Sequence, residues 1–273
     1  MTVAQKIIKY VAMALAVALI VGIFSGIGQI ILGITLITDF RDRNETVGEM
    51  ASYDIRQDIE KVEISVDTAT LRIEVGEKFE VQSNFNKMKI EDNGGKLQIK
   101  EKSHNIFDVG NNGTIIIIIP ADGILDKISV NTGASSVFIE NLSTRRLNFD
   151  LGAGNVVIQN ISVTENAEID CGIGELKIEQ GEMNNLELSH GVGKANINSI
   201  IMGSSDISAG VGEINLHIQS DKSAYTVKAE SGIGAVVLDG ERVENEIVVG
   251  NGDNILKVEG GIGNVKISFG TEE

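Results

Sequence analysis

Apolar and polar residues alternate with a period of two through much of residues 61–270, which predicts β-strands with one buried face. The alternation is organised around a Gly-x-Gly element. The element occurs at positions 152–154, 172–174, 191–193, 210–212, 232–234 and 261–263, after a degenerate Gly-Ala-Ser copy at 133–135. The spacing between copies is nearly constant up to position 232 and then widens. It indicates a structural repeat of about 20 residues.

Apolar pairs flank each Gly-x-Gly element on both sides. The pairs before it are Ile128/Val130, Leu147/Phe149, Ala167/Ile169, Leu186/Leu188, Val227/Ala229 and Leu256/Val258, with a weaker copy at Ser205/Ile207. The pairs after it are Val137/Ile139, Val156/Ile158, Leu176/Ile178, Ala195/Ile197, Ile214/Leu216, Val236/Leu238 and Val265/Ile267. The apolar phase changes within the element, which predicts a bend or bulge where glycine is needed. The residue between the glycines is also apolar in every copy.

A unit of this size cannot bury its own apolar face, so successive units are expected to stack on one another. The sequence therefore predicts an all-β fold, a β-solenoid of Gly-x-Gly repeats of about 20 residues each. The competing fold is a meander of hairpins, which would need two-residue Asn-Gly or Asp-Gly turns. Such turns are sparse in the repeat region, where Asp122-Gly123 and Asp239-Gly240 are the clear cases. The longest gap between copies indicates an excursion at about positions 239–253.

The N-terminal segment has a different character. Residues 10–38 contain no charged side chain and are long enough to cross a bilayer as one helix. We therefore divide the chain into a transmembrane anchor (1–38), a juxtamembrane connector (39–60) and a β-solenoid domain (61–273). A cleaved signal peptide is the alternative, but its apolar core would be shorter. Lys6 and Lys9 favour a cytoplasmic N-terminus, and hence an extracytoplasmic C-terminal domain in a single-pass cell-membrane protein.

Charge and cysteine content exclude several classes of protein. The chain has 39 acidic and 23 basic side chains, and its net charge is −16. Residues 1–38 carry +2, from Lys6 and Lys9, so the remaining residues carry −18. Such an acidic body is not expected to bind nucleic acid. The single cysteine excludes a disulfide framework and a cysteine-based zinc site.

These features together resemble a known group, the putative adhesin family of bacterial membrane-anchored β-solenoid proteins. The resemblance rests on the anchor, the strand pattern at 62–73, the turn and strand at 94–99, the apolar run at 115–120 and the recurrent Gly-x-Gly units. It covers about positions 60–270. The resemblance implies a domain of unknown biochemical function and gives no site residues to carry over.

Motifs that suggest chemistry have simpler explanations here. A dinucleotide fingerprint needs a third glycine and a following helix, whereas residues 152–154 run into a strand pattern. Periodic calcium binding would need an aspartate in each repeat, and the position after Gly-x-Gly varies. Cys171 precedes a corner glycine and is expected to be a partly buried structural thiol. His104, His190 and His217 are scattered and are expected to lie on the surface. We predict no catalytic, cofactor-binding or metal-binding residues, and no cofactor.

The leading functional hypothesis is a non-enzymatic cell-envelope protein with an adhesin-like, structural or sensory role. Its lipid bilayer contact is residues 10–38, and its acidic solenoid binds an unknown protein or glycan. A second hypothesis is a self-assembling scaffold of the bactofilin type, since solenoid ends expose unpaired strand edges. This hypothesis includes a possible homo-oligomer. A third is a polysaccharide-active enzyme, which the low aromatic content of 4% disfavours.

Overall fold

Strands dominate the structure, in agreement with the all-β prediction. The computed structural model of the protein describes residues 49–85, 88–101, 113–243 and 246–270. The strands are β1 (Ala51–Asp54), β2 (Lys61–Val66), β3 (Thr70–Gly76), β4 (Glu80–Ser83), β5 (Met88–Asn93), β6 (Lys96–Glu101), β7 (Thr114–Pro120), β8 (Leu125–Ala134), β9 (Val137–Ile178), β10 (Gly181–Asn184), β11 (Leu186–Met202), β12 (Ser204–Ile218), β13 (Tyr225–Glu230), β14 (Ile233–Leu238), β15 (Glu241–Val243), β16 (Glu246–Gly250), β17 (Asn254–Glu259) and β18 (Ile262–Phe269). A 3₁₀ turn at Lys222–Ala224 precedes β13.

Parallel pairing aligns equivalent positions of neighbouring repeats. Leu188 on β11 pairs with Ile169 on β9 and with Ile207 on β12, the equivalent residues of the preceding and following copies. Gly193 likewise pairs with Gly174 and Gly212. We call each layer of this parallel stack a rung, which in the central part is the stretch of chain around one Gly-x-Gly element. The rungs form a ladder in which each Gly-x-Gly element lies beside the same element of its neighbour.

The alternating apolar positions form one buried core. All the apolar residues of the flanking pairs are buried, as the alternation predicts. The weaker pair is also explained, because buried Ser205 accepts a hydrogen bond from the Leu186 amide through Oγ at 3.0 Å. A hydroxyl is tolerated in this core because its oxygen has a backbone donor.

A third strand segment, which the flanking apolar pairs do not predict, completes each central rung. Residues 161–163 of β9 pair in parallel with β10, and β10 pairs in parallel with residues 200–202 of β11. The inward residues Ile161, Met183 and Ile201 are buried. The connection between repeats therefore contributes to the core.

The corner glycines are required because neighbouring rungs approach closely there. A Cβ on Gly174 would lie 1.8 Å from the carbonyl oxygen of Gly154, and one on Gly193 would lie 2.0 Å from that of Gly174. Gly174 also has φ +142°, a conformation that residues with a side chain rarely adopt. Both contact and conformation therefore select glycine at this position of the central rungs.

At the C-terminal end, the order of rungs in space differs from their order in sequence. β17 and β18 pair in parallel with β12 on one side and with β13 and β14 on the other. The rung at 254–269 thus lies between the rungs at 204–218 and 225–238. The predicted excursion at 239–253 contains β15 and β16, which pair antiparallel with β14 and β13. These two strands cover the outer edge of the last rung.

The N-terminal end repeats this arrangement in reverse. β2 lies between β6 and β8, and β3 lies between β7 and β9, all in parallel. The outer rung formed by β6 and β7 is covered by antiparallel β5 and β4, and β1 adds to β4. Both ends of the ladder therefore carry antiparallel cap strands, which we call the end caps.

The predicted anchor at 10–38 lies outside the described residues. Within the ranges that the structure does describe, no helix has the length and apolarity needed to cross a membrane. The described part of the connector, residues 49–60, includes strand β1.

Candidate functional site

A groove lies on the outward face of the strands that follow the Gly-x-Gly corners. It has a volume of about 570 Å³. Five neighbouring rungs form it, because Lys177, Asn196, Asn215, Lys266 and Val237 follow one another in register. Further lining comes from Glu179, Asn198, His217, Gly240 and Ser268. We call it the amide groove, after its three asparagines.

Side-chain amides connect neighbouring rungs along this groove. Asn215 Nδ2 donates to Asn196 Oδ1 at 2.9 Å, and Asn196 Nδ2 donates to Glu175 Oε1 at 3.3 Å. Each amide therefore uses part of its hydrogen-bonding capacity on the next rung. An amide carries two donor hydrogens and an acceptor oxygen, so capacity remains for a ligand.

The His217 side chain connects two strands of the groove and also carries an unpartnered atom. Its Nδ1 lies 2.9 Å from Ser268 Oγ on the neighbouring strand β18. Its Nε2 is buried and has no hydrogen-bond partner among the described residues, and the same is true of Asn198 Oδ1. Asn198 and His217 are paired in register on adjacent strands. Two polar atoms that the described chain leaves unpartnered thus belong to neighbouring side chains of one groove.

The charged side chains at the groove are paired with one another. Lys177 Nζ lies 2.7 Å from Glu179 Oε1, and Lys266 Nζ lies 2.6 Å from Glu213 Oε1. The hydrogen bond from Lys266 holds the pKa of Glu213 below its usual value. The hydrogen bond to Glu179 raises the pKa of Lys177. Because each of these cations has an anionic partner, the groove suits an uncharged polar ligand better than an ion.

Cys171 and His190 are ladder neighbours, but their environment does not favour nucleophilic catalysis. Burial, and then the charge of Asp170, raise the pKa of the Cys171 thiol to about 12. A thiol with such a pKa is protonated at neutral pH and unreactive. His190 is 4% exposed, and burial lowers its pKa. Among the residues that the structure describes, no three His, Cys, Asp or Glu side chains cluster to hold a metal ion.

The sequence-based expectations for these side chains meet different outcomes. Cys171 is partly buried, as expected. His190 was expected on the surface, and this prediction is wrong because its side chain occupies an inward corner position. His217 is half-buried in the amide groove, and His104 lies outside the described residues. No role was predicted from the sequence for Asn196, Asn198, Asn215 or Ser268. Asparagine at the outward positions of successive repeats was the available signal.

Comparison with known proteins identifies the family of the ladder. Residues 59–258 match the Toastrack DUF4097 family. The chain belongs to this family. The match covers the rungs from β2 to β17 and agrees with the family resemblance drawn from the sequence. No curated protein matches the chain.

Several solved structures are similar to this Toastrack chain. A putative adhesin from Bacteroides fragilis has a TM-score of 0.53 and 17% identity, and the match covers 80% of this chain and 96% of that one. A putative cell adhesion protein from Clostridium sporogenes has a TM-score of 0.40 and 16% identity, with coverage of 81% and 99%. A putative lipid binding protein from Parabacteroides distasonis has a TM-score of 0.35 and 17% identity, with coverage of 80% and 96%. The Bacteroides fragilis likeness shows a shared fold and does not transfer a ligand.

Proposed function

We propose that this Toastrack protein is a non-enzymatic component of the cell envelope that binds an uncharged polar ligand, a glycan or a polar protein segment, in its amide groove. Residues 10–38 anchor the chain in the membrane, and the acidic body extends outside the cytoplasm. This role is adhesin-like, in the sense of the name carried by the Bacteroides fragilis structure.

A β-solenoid is the architecture that we propose for the body. In its support, equivalent positions of successive central rungs pair in parallel, for example Ser189 with Asp170 and Ser208. A stack of this kind holds outward side chains at the strand spacing of about 4.8 Å, rung after rung. Such a rigid, periodic surface suits a ligand that is itself extended.

The observation that carries the binding proposal is the pair of unpartnered polar atoms in the amide groove. Asn198 Oδ1 and His217 Nε2 are both buried from solvent and lack hydrogen bonds within the described chain. Leaving a buried polar group unsatisfied costs about 1–3 kcal/mol. Once the two side chains rotate toward the groove, a ligand that offers a donor and an acceptor, as a sugar hydroxyl does, would form hydrogen bonds with both atoms.

The test compares binding by groove variants of the full chain in detergent micelles. We expect wild-type protein to retain glycans from a cell-wall polysaccharide array, and Asn198→Ala with His217→Ala to weaken binding about tenfold. Asn160→Ala is the matched control, because Asn160 is an amide outside the groove that donates to Asn141 Oδ1 at 2.9 Å. Equal binding by the groove variant and wild type would overturn the assignment of the site. Release of a cleaved product from any polymer would overturn the non-enzymatic proposal.

The side of the membrane on which the acidic body lies has a separate test. We expect protease treatment of intact cells to remove the acidic body and leave a small membrane-bound fragment. If the body survives until the cells are lysed, the extracytoplasmic placement is wrong and a cytoplasmic scaffold becomes the better proposal.

The self-assembly alternative loses its main structural argument. It assumed that both ends of the body expose unpaired strand edges. The end caps place antiparallel strands over the outer rungs at both ends, β15 and β16 at one and β4 and β5 at the other. The edges that remain open belong to cap strands of only three to six residues, and short edge strands are one way in which proteins limit edge-to-edge association.

A further inference from the structure

A row of aliphatic side chains runs along the Gly-x-Gly corners. Ile173, Val192, Val211, Ile262 and Ile233 follow one another in register on five neighbouring rungs. Ile173 is 37% exposed, Ile262 47% and Ile233 76%. We call this column of five residues the aliphatic ridge. Three of its large apolar side chains are exposed. A contiguous apolar stripe on a protein surface commonly marks an interaction site.

A second groove, of about 450 Å³, borders this ridge. Its lining includes Gly172, Gly191 and Gly210, which are bonded directly to the ridge residues Ile173, Val192 and Val211. Its outer wall is formed by Asp150, Asp170, Ser189 and Ser208, one from each of four rungs. We call it the corner groove. Acidic or hydroxylic side chains thus line the groove itself, and three aliphatic residues of the ridge directly follow its glycines in the chain.

The carboxylates of this wall are not neutralised by the described part of the chain. Asp150 Oδ2 accepts a hydrogen bond from Asn131 Nδ2 at 2.8 Å, a neutral donor. No Lys or Arg of the described ranges forms an ion pair with Asp150 or Asp170, although other surface carboxylates of the ladder are paired in this way. The uncompensated negative charge calls for a cationic partner.

The floor of the corner groove also holds an unsatisfied polar atom. His190 is 4% exposed and contributes to the groove lining, and its Nε2 has no hydrogen-bond partner among the described residues. Buried polar atoms without partners are uncommon in folded proteins. Because this side chain points inward, it lies beneath the groove and does not itself contact a bound segment.

We propose that the corner groove binds an extended segment of a partner protein in which aliphatic and basic residues alternate. In an extended chain, successive side chains point to opposite sides. Aliphatic side chains would therefore contact the ridge, while Lys or Arg side chains face Asp150 and Asp170. A second copy of this chain is disfavoured because the net charge of −16 repels it, and an anionic bilayer is disfavoured for the same reason.

The probe is a fluorescently labelled eight-residue peptide of alternating Val and Lys, added to the full chain in micelles of an uncharged detergent. Empty micelles correct for partitioning of the peptide. We expect saturable anisotropy that weakens with added salt. The same peptide with Glu in place of Lys should not bind, and one with Ser in place of Val should bind more weakly.

Paired variants separate the corner groove from general charge attraction. Asp150→Asn with Asp170→Asn should weaken binding about tenfold, since two ion pairs are lost. Glu77→Gln with Asp122→Asn removes the same charge from turns elsewhere and should leave affinity within about twofold. Ile173→Thr with Val192→Thr keeps β-branched side chains and should weaken binding at the ridge. Equal losses for the two charge pairs, or binding of the Glu peptide, would overturn the proposal. None of these variants touches the amide groove, so this result is independent of the glycan test.

Discussion

His190 is an imidazole at a corner position where the neighbouring rungs have apolar or small side chains. The same corner position holds Leu151 and Cys171 in the two preceding rungs, and Ala209 in the next. An imidazole fits this position because it stays neutral, since burial lowers its pKa below the ordinary value of 6.5. A hydrogen bond with the Lys194 backbone opposes this shift only in part.

Stability is therefore expected to fall on mild acidification. Below pH 6.5 the histidine of the unfolded chain binds a proton that the folded chain does not, so the free energy of unfolding decreases as pH falls. The slope from this one group is at most about 1.4 kcal/mol per pH unit. Urea unfolding of the full chain between pH 7.5 and pH 5, values chosen to span the ordinary histidine pKa of about 6.5, measures it. His190→Leu should flatten the dependence, and an unchanged slope in this variant would contradict the assignment.

A pair of glycine substitutions separates close approach from backbone strain. Gly174 and Gly270 have nearly the same φ, +142° and +146°, but a Cβ at Gly270 would meet nothing within 4 Å. Gly270→Ala should lower the free energy of unfolding by the strain alone, about 1–3 kcal/mol. Gly174→Ala should cost about 1–3 kcal/mol more, because its Cβ meets the Gly154 carbonyl. Chemical denaturation measures both, and equal losses would show that close approach is unimportant.

At the scale of the strands, the end caps are the elements with the clearest separate role. β16 covers the outer edge of β13, and replacing its five residues by a Gly-Ser segment of equal length would leave that edge unpaired. We expect the variant to associate in a concentration-dependent manner, because an open strand edge pairs with other chains. Sedimentation velocity of the full chain in detergent measures this.

β1 provides the control for this experiment. It pairs with β4, which itself covers β7, so its replacement leaves the outer rung paired and exposes only the four-residue edge of β4, which is too short to pair well with another chain. The β1 variant should sediment as the wild type does. Association of both variants to the same extent would indicate that general destabilisation, rather than the exposed edge, is the cause.

The strands themselves were predictable, because their signal is local. Residues such as Leu186 and Leu188 alternate with polar neighbours, and the same pattern returns in the following repeat. The order of the rungs was not predictable, because every rung has the same apolar pattern and each could pair with any other. Sequential stacking was the expectation, and it fails at both ends. The third strand segment was missed since it carries few apolar residues, for example Met183 in β10.

The amide groove depends on the same non-local order. Asn196, Asn198 and Asn215 are close because their rungs are consecutive, so the repeat alone places them together. Ser268 reaches His217 across a long separation in sequence, because the rung at 254–269 is inserted beside β12. The proximity of the three asparagines could therefore be predicted from the repeat, whereas the contact between His217 and Ser268 could not.

For the molecule as a whole, the central rungs are interchangeable in a way that the ends are not. Inserting a second copy of the segment 186–204, one complete repeat, should extend the ladder with little change in melting temperature. Inserting the segment 187–204 instead leaves the repeat one position short. The protein with this shorter insertion should melt at a much lower temperature, because a shift of the strand register by one position turns apolar side chains outward. Thermal melts followed by circular dichroism compare the two, and similar melting temperatures would contradict a strict repeat.

The inserted rung also sets a condition on biosynthesis. Residues 225–238 leave the ribosome before residues 254–269, although the later segment is the one that finally lies against β12. For that interval the edge of β12 is unpaired, and residues 225–238, which have the same alternation of apolar residues, can pair with it first. A nascent chain in which residues 225–238 pair with β12 must break that pairing before residues 254–269 can take their native place. The slowest step in folding is therefore expected to be the pairing of residues 254–269 with β12, because it requires residues 225–238 to leave that edge first.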